Sequence, residues 1–247
     1  MIHGAAARAA IFSQLVLIAA GCTSAGNSVP AASTTASGAT PLTAEQRTAG
    51  WRSLFDGTST SAWRGYKQQS LPTGWSVVDG ILTKTGSAND IITKDKFGNF
   101  ELALDWKIAP GGNSGIFYRG TEEYDHIYWS APEYQLLDDA LHPDGQSRLT
   151  SAGADYGLYP SPAGVVKPAE QWNSTLIVVD GNHVQHWMNG QKLLEYDFGS
   201  PDWLAKVKAS KFAAYPNYGR ASSGYIGIQG DHDGTLWVRN IRIREIK

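Results

Sequence analysis

The run Glu101-Leu102-Ala103-Leu104-Asp105-Trp106-Lys107-Ile108 restricts the possible folds more than any other stretch of the chain. Leu102, Leu104, Trp106 and Ile108 fall at one parity, and Glu101, Asp105 and Lys107 at the other. A repeat of two is the side-chain period of an extended strand, so the segment reads as a strand with one face in a core. Two pairs of residues that tolerate positive φ join further apolar runs. Asp79-Gly80 links Trp75–Val78 to Ile81-Leu82-Thr83, and Asn189-Gly190 links His183–Met188 to Gln191–Tyr196. Both are signatures of two-residue β-hairpins. Leu176–Val179, Tyr225–Gln229 and Leu236–Ile246 add strands. Closely spaced strands with little helix between them predict an all-β sandwich of two antiparallel sheets.

Helix is confined to one or two short pieces. Thr43-Ala44-Glu45-Gln46 fits a capping box. Ser200-Pro201-Asp202 opens a short amphipathic helix, with Pro in the first turn where its missing N–H is harmless.

The first fifty residues differ in kind: all nine Trp lie between Trp51 and Trp237. Arg8 is the only charged side chain ahead of an apolar stretch from Ala9 to Ala20, the pattern of a secretory signal. A membrane span needs about 20 apolar residues, and Ser13 and Gln14 interrupt this one. Ala19-Ala20-Gly21-Cys22 resembles the bacterial lipobox, in which the cysteine is acylated, and Cys22 is the chain's single cysteine. Residues 23–44 carry no charge and no aromatic until Ala44, which suits a flexible tether reaching roughly 25 Å. The expected organisation is therefore a signal peptide (1–21), a lipidated Cys22 with its tether (22–44) and one folded domain (45–247) in the cell envelope. The net charge of −2 offers no basic field for a polyanion, which argues against nucleic acid as a partner.

Several chemistries lack their residues. The sequence has no Gly-rich phosphate loop, no G-x-S-x-G elbow and no paired cysteines, so no nucleotide cofactor is expected. It also lacks the E-x-D-x-x-E strand in which two carboxylates of a retaining glucanase lie about 5 Å apart. It does hold polar side chains embedded in strands. Alternation places Asn113, Gly115, Phe117 and Arg119 on the face opposite Ile116 and Tyr118. Glu133 and Gln135 lie opposite Leu136, and Gly227 and Gln229 opposite Ile226 and Ile228. With the aliphatic face inward, these polar residues line the outer face of one sheet, and Gly115 and Gly227 leave room there for a ligand. Amides, a carboxylate, a guanidinium and the ring of Phe117 suit a sugar. Water-facing strand faces are ordinarily polar as well, and cross-strand Arg–Glu pairs are ordinarily structural. His142 and His232 sit in loops near strand ends, where a histidine is most often simply solvated, and Asp231-His232-Asp233 is a weak candidate for a divalent metal.

Several of these segments recur in one order in a known family. Trp51–Gly57, Asn113–Arg119, Glu133–Asp138, Trp172-Asn173, Asn189-Gly190 and Arg239–Ile243 together resemble the 3-keto-disaccharide hydrolase family, and the resemblance spans nearly all of Trp51–Lys247. It implies a concanavalin-like jelly roll and an unusual glycosidase route. A separate sugar 3-dehydrogenase would supply a 3-keto-glucoside. Its ketone acidifies the C2 proton, so a base removes that proton, the C1 oxygen leaves and water adds to the enone. This route needs one base and one electrophile and not a carboxylate pair. Under the resemblance, Glu133, His232 and His142 are the candidate acids and bases. Asn113, Arg119, Gln135 and Gln229 are candidate donors to keto or hydroxyl oxygens, Phe117 a ring platform and Asp138 an orienter of His142. Metal dependence stays open, with a divalent ion as an alternative electrophile to Arg119. The main alternative is a non-catalytic carbohydrate-binding lipoprotein on the same fold, which needs no acid or base in its cleft; a structural envelope protein, the third reading, predicts no cleft.

Overall fold

The computed structural model describes residues 38–247, so the signal, Cys22 and most of the tether lie outside the described residues. Helix α1 (Ala44–Thr48) leads into β1 (Arg52–Phe55), β2 (Trp63–Gly65), β3 (Trp75–Val78), β4 (Ile81–Thr85), β5 (Ile91–Thr93), β6 (Phe100–Ile108) and β7 (Asn113–Gly120). Then follow β8 (Glu133–Leu137), β9 (Asn173–Asp180), β10 (His183–Met188), β11 (Gln191–Asp197), α2 (Pro201–Ala209), β12 (Tyr225–Ile228) and β13 (Thr235–Glu245). Short 3-10 turns at Ile127–Trp129, Pro143–Gln146 and Lys211–Ala214 punctuate the loops.

The strands form a jelly-roll sandwich of two antiparallel sheets. The larger sheet runs β11-β10-β9-β6-β13-β4-β3, and the smaller runs β2-β5-β12-β7-β8. The long strand β13 serves two neighbours along one edge. Thr235–Val238 pairs with β4, and beyond a bulge where Asn240 adopts φ 56°, Ile241–Ile243 pairs with β1. The hairpin at Asp79-Gly80 has φ 50° and 75°, and that at Asn189-Gly190 has φ 51° and 82°. These are the left-handed conformations a two-residue turn requires. Both helices begin as the capping pattern predicts: the Thr43 side chain accepts from the Gln46 N–H, and Ser200 accepts from the Trp203 N–H.

Leu102, Leu104, Trp106 and Ile108 of β6 meet Ile116 and Tyr118, Tyr134 and Leu136, and Ile226 and Ile228 from the smaller sheet in one core. Full burial of such a side chain stabilises by roughly 1.5–3 kcal/mol. The polar parity of β6 is not left to water. Glu101 pairs with Arg244 and Asp105 with Arg239, both from the neighbouring β13, and Asn240 donates to Asp105 at 2.7 Å. The last residues assigned to the tether also touch the domain: the Ala39 N–H donates to the Gly80 carbonyl at 3.1 Å, and the Thr40 N–H to Asn240 Oδ1 at 2.6 Å. Packed chain therefore begins ahead of residue 45. Among the described residues, no helix is long and apolar enough to cross a membrane.

Candidate active site

The outer face of the smaller sheet carries a cleft of about 200 Å³. Its floor comes from adjacent strands. Gly115 of β7 stands opposite Gln135 of β8, and the Gln229 N–H, just past β12, donates to the Gly115 carbonyl at 2.9 Å. This register brings Asn113, Glu133, Gln135 and Gln229 into one lining, as alternation predicts. Gln135 Nε2 donates to Asn113 Oδ1 at 3.3 Å, and Asn113 faces His142 Nε2 at 3.4 Å. The Oε1 atoms of Gln135 and Gln229 are buried with no hydrogen-bond partner among the described residues. Buried acceptors are ordinarily satisfied, so two orphans on one cleft are a natural place for ligand hydroxyl donors.

Glu133 lies over Gly115. A Cβ on Gly115 would stand 2.1 Å from Glu133 Oε1, so the glycine makes room for this carboxyl rather than for a ligand. Gly227 is likewise covered, by Ile127 and Phe117. Burial raises the Glu133 pKa to about 8, and Asp90, Asp231 and Asp155 push the same way against the opposing pull of Lys211. At neutral pH the group is mainly a neutral acid. His232 moves in the opposite direction: burial takes its pKa below the usual histidine value, against the attraction of Asp231. Its imidazole is therefore mainly neutral and able to accept a proton.

The loop bearing Asp231 and His232 is gripped from β4 and the segment after it. Lys84 Nζ donates to the His232 carbonyl at 2.5 Å, Ser87 Oγ to the Asp231 carbonyl at 2.9 Å, and the Gly230 N–H to Asp90 Oδ1 at 2.8 Å. Asp90 is itself pushed up to about 7 by burial. His142 stands behind Asn113, outside the cleft lining: its Nδ1 accepts the Asp144 N–H at 3.1 Å, and the Tyr156 hydroxyl, within the lining, donates to Asp144 Oδ2 at 3.3 Å. Lys211 Nζ sits 4.4 Å from the centre of the Tyr156 ring.

Besides His142, three residues expected in the site lie elsewhere. Arg119 has φ 52° at a bulge in the β7–β12 pairing, which breaks the alternation. Its guanidinium donates to the Gly98 and Gly181 carbonyls and to Asn99 Oδ1, tying loops together away from the cleft. Phe117 stays on the outer face but is fully buried under Ile127 and Ala131, with the Tyr128 ring 6.4 Å away. Tyr128 and Tyr156, not Phe117, bring phenol rings to the cleft lining. The Asp138 carboxylate accepts from the Gly111 and Ala140 N–H groups, while only its carbonyl meets the His142 N–H, so the side chain shapes the loop without touching the imidazole.

Sequence reasoning missed Tyr128, Asp144, Tyr156 and Lys211, all of which line the cleft. Asp144 follows His142-Pro143 in a turn-forming stretch, and Tyr128 lies in an aromatic-rich loop; both were weak signals. Nothing local marks Tyr156 or Lys211. Among the described residues, no group of three or more His, Cys, Asp or Glu side chains is placed to hold a metal ion.

Residues 50–244 match the family model for the 3-keto-alpha-glucoside-1,2-lyase-like domain. A 3-keto-disaccharide hydrolase of Bacteroides thetaiotaomicron is 35% identical over 227 residues, covering 79% of this chain and 78% of the relative. A solved structure of a candidate glycosyl hydrolase from Parabacteroides distasonis is 32% identical, with a TM-score of 0.78 over 84% of this chain and 99% of that one. A second from the same organism is 33% identical, with a TM-score of 0.64 over 79% and 99%. A jelly roll with this cleft, and a family match over nearly the whole described domain, make the chain a glycosidase-like member of the 3-keto-alpha-glucoside-1,2-lyase-like family.

Proposed function

We propose that the protein cleaves the glycosidic bond of 3-keto-glucosides by elimination and rehydration. The observation that carries this reading is the opposed displacement of two titratable groups on one cleft: a carboxyl held neutral and an imidazole held neutral. Such a split assigns acid and base. His232 takes the C2 proton, whose acidity the C3 ketone supplies, and the C1–O bond breaks as a C1–C2 double bond forms. Glu133 gives its proton to the departing oxygen. Water then adds to the enone, its hydroxyl to C1; Glu133 recovers a proton from that water, and His232 returns its own to C2. The net change is one water consumed and two hydroxyl products released.

Lys211, in place of Arg119, is the Lys or Arg side chain in the cleft lining and is assigned the role of stabilising the enolate oxygen. The acceptors of Gln135 and Gln229, with Asn113, hold hydroxyls, and His142 backs Asn113. A pure binding module needs none of the titratable groups that converge here, which favours the catalytic reading over the binding one. We further propose export, acylation at Cys22 and supply of the keto sugar by a separate dehydrogenase; a Cys22→Ala variant should leave the membrane fraction while keeping its turnover.

The deciding experiment incubates the purified protein with an ordinary glucoside and its 3-keto counterpart, with and without a chelator. Release from the keto substrate alone supports elimination, and the chelator arm reads metal dependence. Binding of oligosaccharide without release from either substrate would hand the site to the binding-module reading.

A further inference from the structure

A second depression adjoins the cleft, and Asp231 lines both. It measures about 530 Å³ and is bordered by the β2–β3 connection on one side and by residues 87–89 on the other. Small-molecule sites run roughly 300–1,000 Å³. The first cleft, about 200 Å³, falls below that range, whereas this groove supplies space for another ring. The two share a fixed rim. The Ala88 N–H donates to the Gly230 carbonyl at 2.8 Å, Ser87 Oγ to the Asp231 carbonyl at 2.9 Å and Trp75 Nε1 to the Asn89 carbonyl at 2.9 Å. Gly230 passes so close to residues 88–89 that a Cβ there would stand 2.6 Å from the Asn89 carbonyl oxygen.

The lining selects a chemistry. Gln68, Ser70, Thr73 and Asn89 bring side-chain amides and hydroxyls to the lining, beside the apolar Leu71 and Pro72. The groove has no cation and no aromatic in its lining, and its single charge is Asp231. Without a cation it does not suit a phosphate or a uronate, and without a ring it offers no platform for an aryl group. Neutral amides and hydroxyls above a small apolar flank suit an uncharged polyhydroxylated ring.

We propose that this groove holds the leaving group of the reaction, and that the leaving group is a neutral sugar. The proposal rests on the reading of the first cleft as the seat of the keto sugar. Asp231 then stands at the junction, beside the bond that breaks.

The test blocks the groove and spares the cleft. Thr73 is exposed, so Thr73→Trp fills the groove without entering the core. The full-length protein and this variant are compared on the 3-keto derivative of a neutral disaccharide and on methyl 3-keto-glucoside, whose leaving group is too small to reach the groove. Loss of a pocket contact changes kcat/KM by about 10–200-fold, and a loss of that size is expected for the disaccharide alone, with the methyl glucoside within about twofold. Gln68→Ala, which empties rather than fills the groove, should raise KM for the disaccharide and leave kcat for the methyl glucoside unchanged. An equal fall on both substrates, or no change on either, overturns the proposal. If the wild type turns over neither substrate, the catalytic reading of the cleft has failed, and calorimetric binding of the unmodified disaccharide decides the groove by itself. Binding abolished by Thr73→Trp then supports a sugar-binding groove; binding unaffected by it refutes one.

Discussion

Gly115→Ala is the most economical probe of the candidate acid. Gly115 lies outside the left-handed region, so alanine strains no backbone there, and the substitution acts through the one side chain lying over it. Its new Cβ would stand 2.1 Å from Glu133 Oε1 and 2.7 Å from both Cδ and Cγ. Ordinary contact begins near 3.4 Å, so the carboxyl must retreat by about 1 Å, a displacement that can cost about 10²-fold in rate for a positioned catalytic group. That factor corresponds to about 2.7 kcal/mol of barrier. Glu133 is buried, so the retreat also presses on its surroundings, and overpacking of this kind costs about 1–3 kcal/mol of stability. The assay is kcat/KM on a 3-keto-glucoside, with thermal unfolding followed in parallel. Glu133→Gln, which removes the proton outright, should cost about 10²–10⁴-fold. The double variant should be little worse than Glu133→Gln alone, because both changes act through one group. A Gly115→Ala enzyme within about twofold of wild type, or a double variant showing the product of the two losses, would refute the assignment of Glu133 as the acid.

The pH profile of kcat/KM should be a bell. Activity falls as His232 gains a proton below its depressed pKa, and falls again as Glu133 loses its proton above about 8; Glu133→Gln should remove the alkaline limb from whatever activity remains. Asp90 titrates near 7 when folded and at the ordinary carboxylate value when unfolded. The unfolded chain therefore releases this proton first, and stability present below the unfolded pKa is lost as pH rises through 7. Asp90→Asn should accordingly raise Tm more at pH 8.5 than at pH 4, and an equal change at both would contradict the reasoning. Arg119→Ala removes hydrogen bonds to Gly98, Asn99 and Gly181, so it should lower stability by about 2–5 kcal/mol while leaving KM unchanged; a raised KM at constant Tm would return Arg119 to the site.

How much of this was legible in the chain itself depends on the range of the forces involved. The two hairpins, both helix caps and the parity of β6, β7, β8 and β12 are decided by φ preferences and side-chain alternation within a few residues. They can be read from sequence because their causes are local. Parity also brought Asn113, Glu133, Gln135 and Gln229 to one face, since strand geometry carries it across a sheet. It failed at Arg119, where one positive φ turned the guanidinium out of register; the bulge follows from how β12 meets β7 and leaves no mark in the local pattern. The loop members of the site were beyond reach for the same reason. Tyr156 and Lys211 are 55 residues apart in the chain (211 less 156) yet stack at 4.4 Å because two connections fold over one sheet face. The protonation states belong wholly to the tertiary structure. A glutamate in a sequence has an ordinary pKa, and only the exclusion of water over Gly115, with aspartates nearby, raises that of Glu133 to about 8. Local sterics and periodicity thus determined the strands and the face they share, whereas the desolvation that turns that face into a site arises only where distant segments meet.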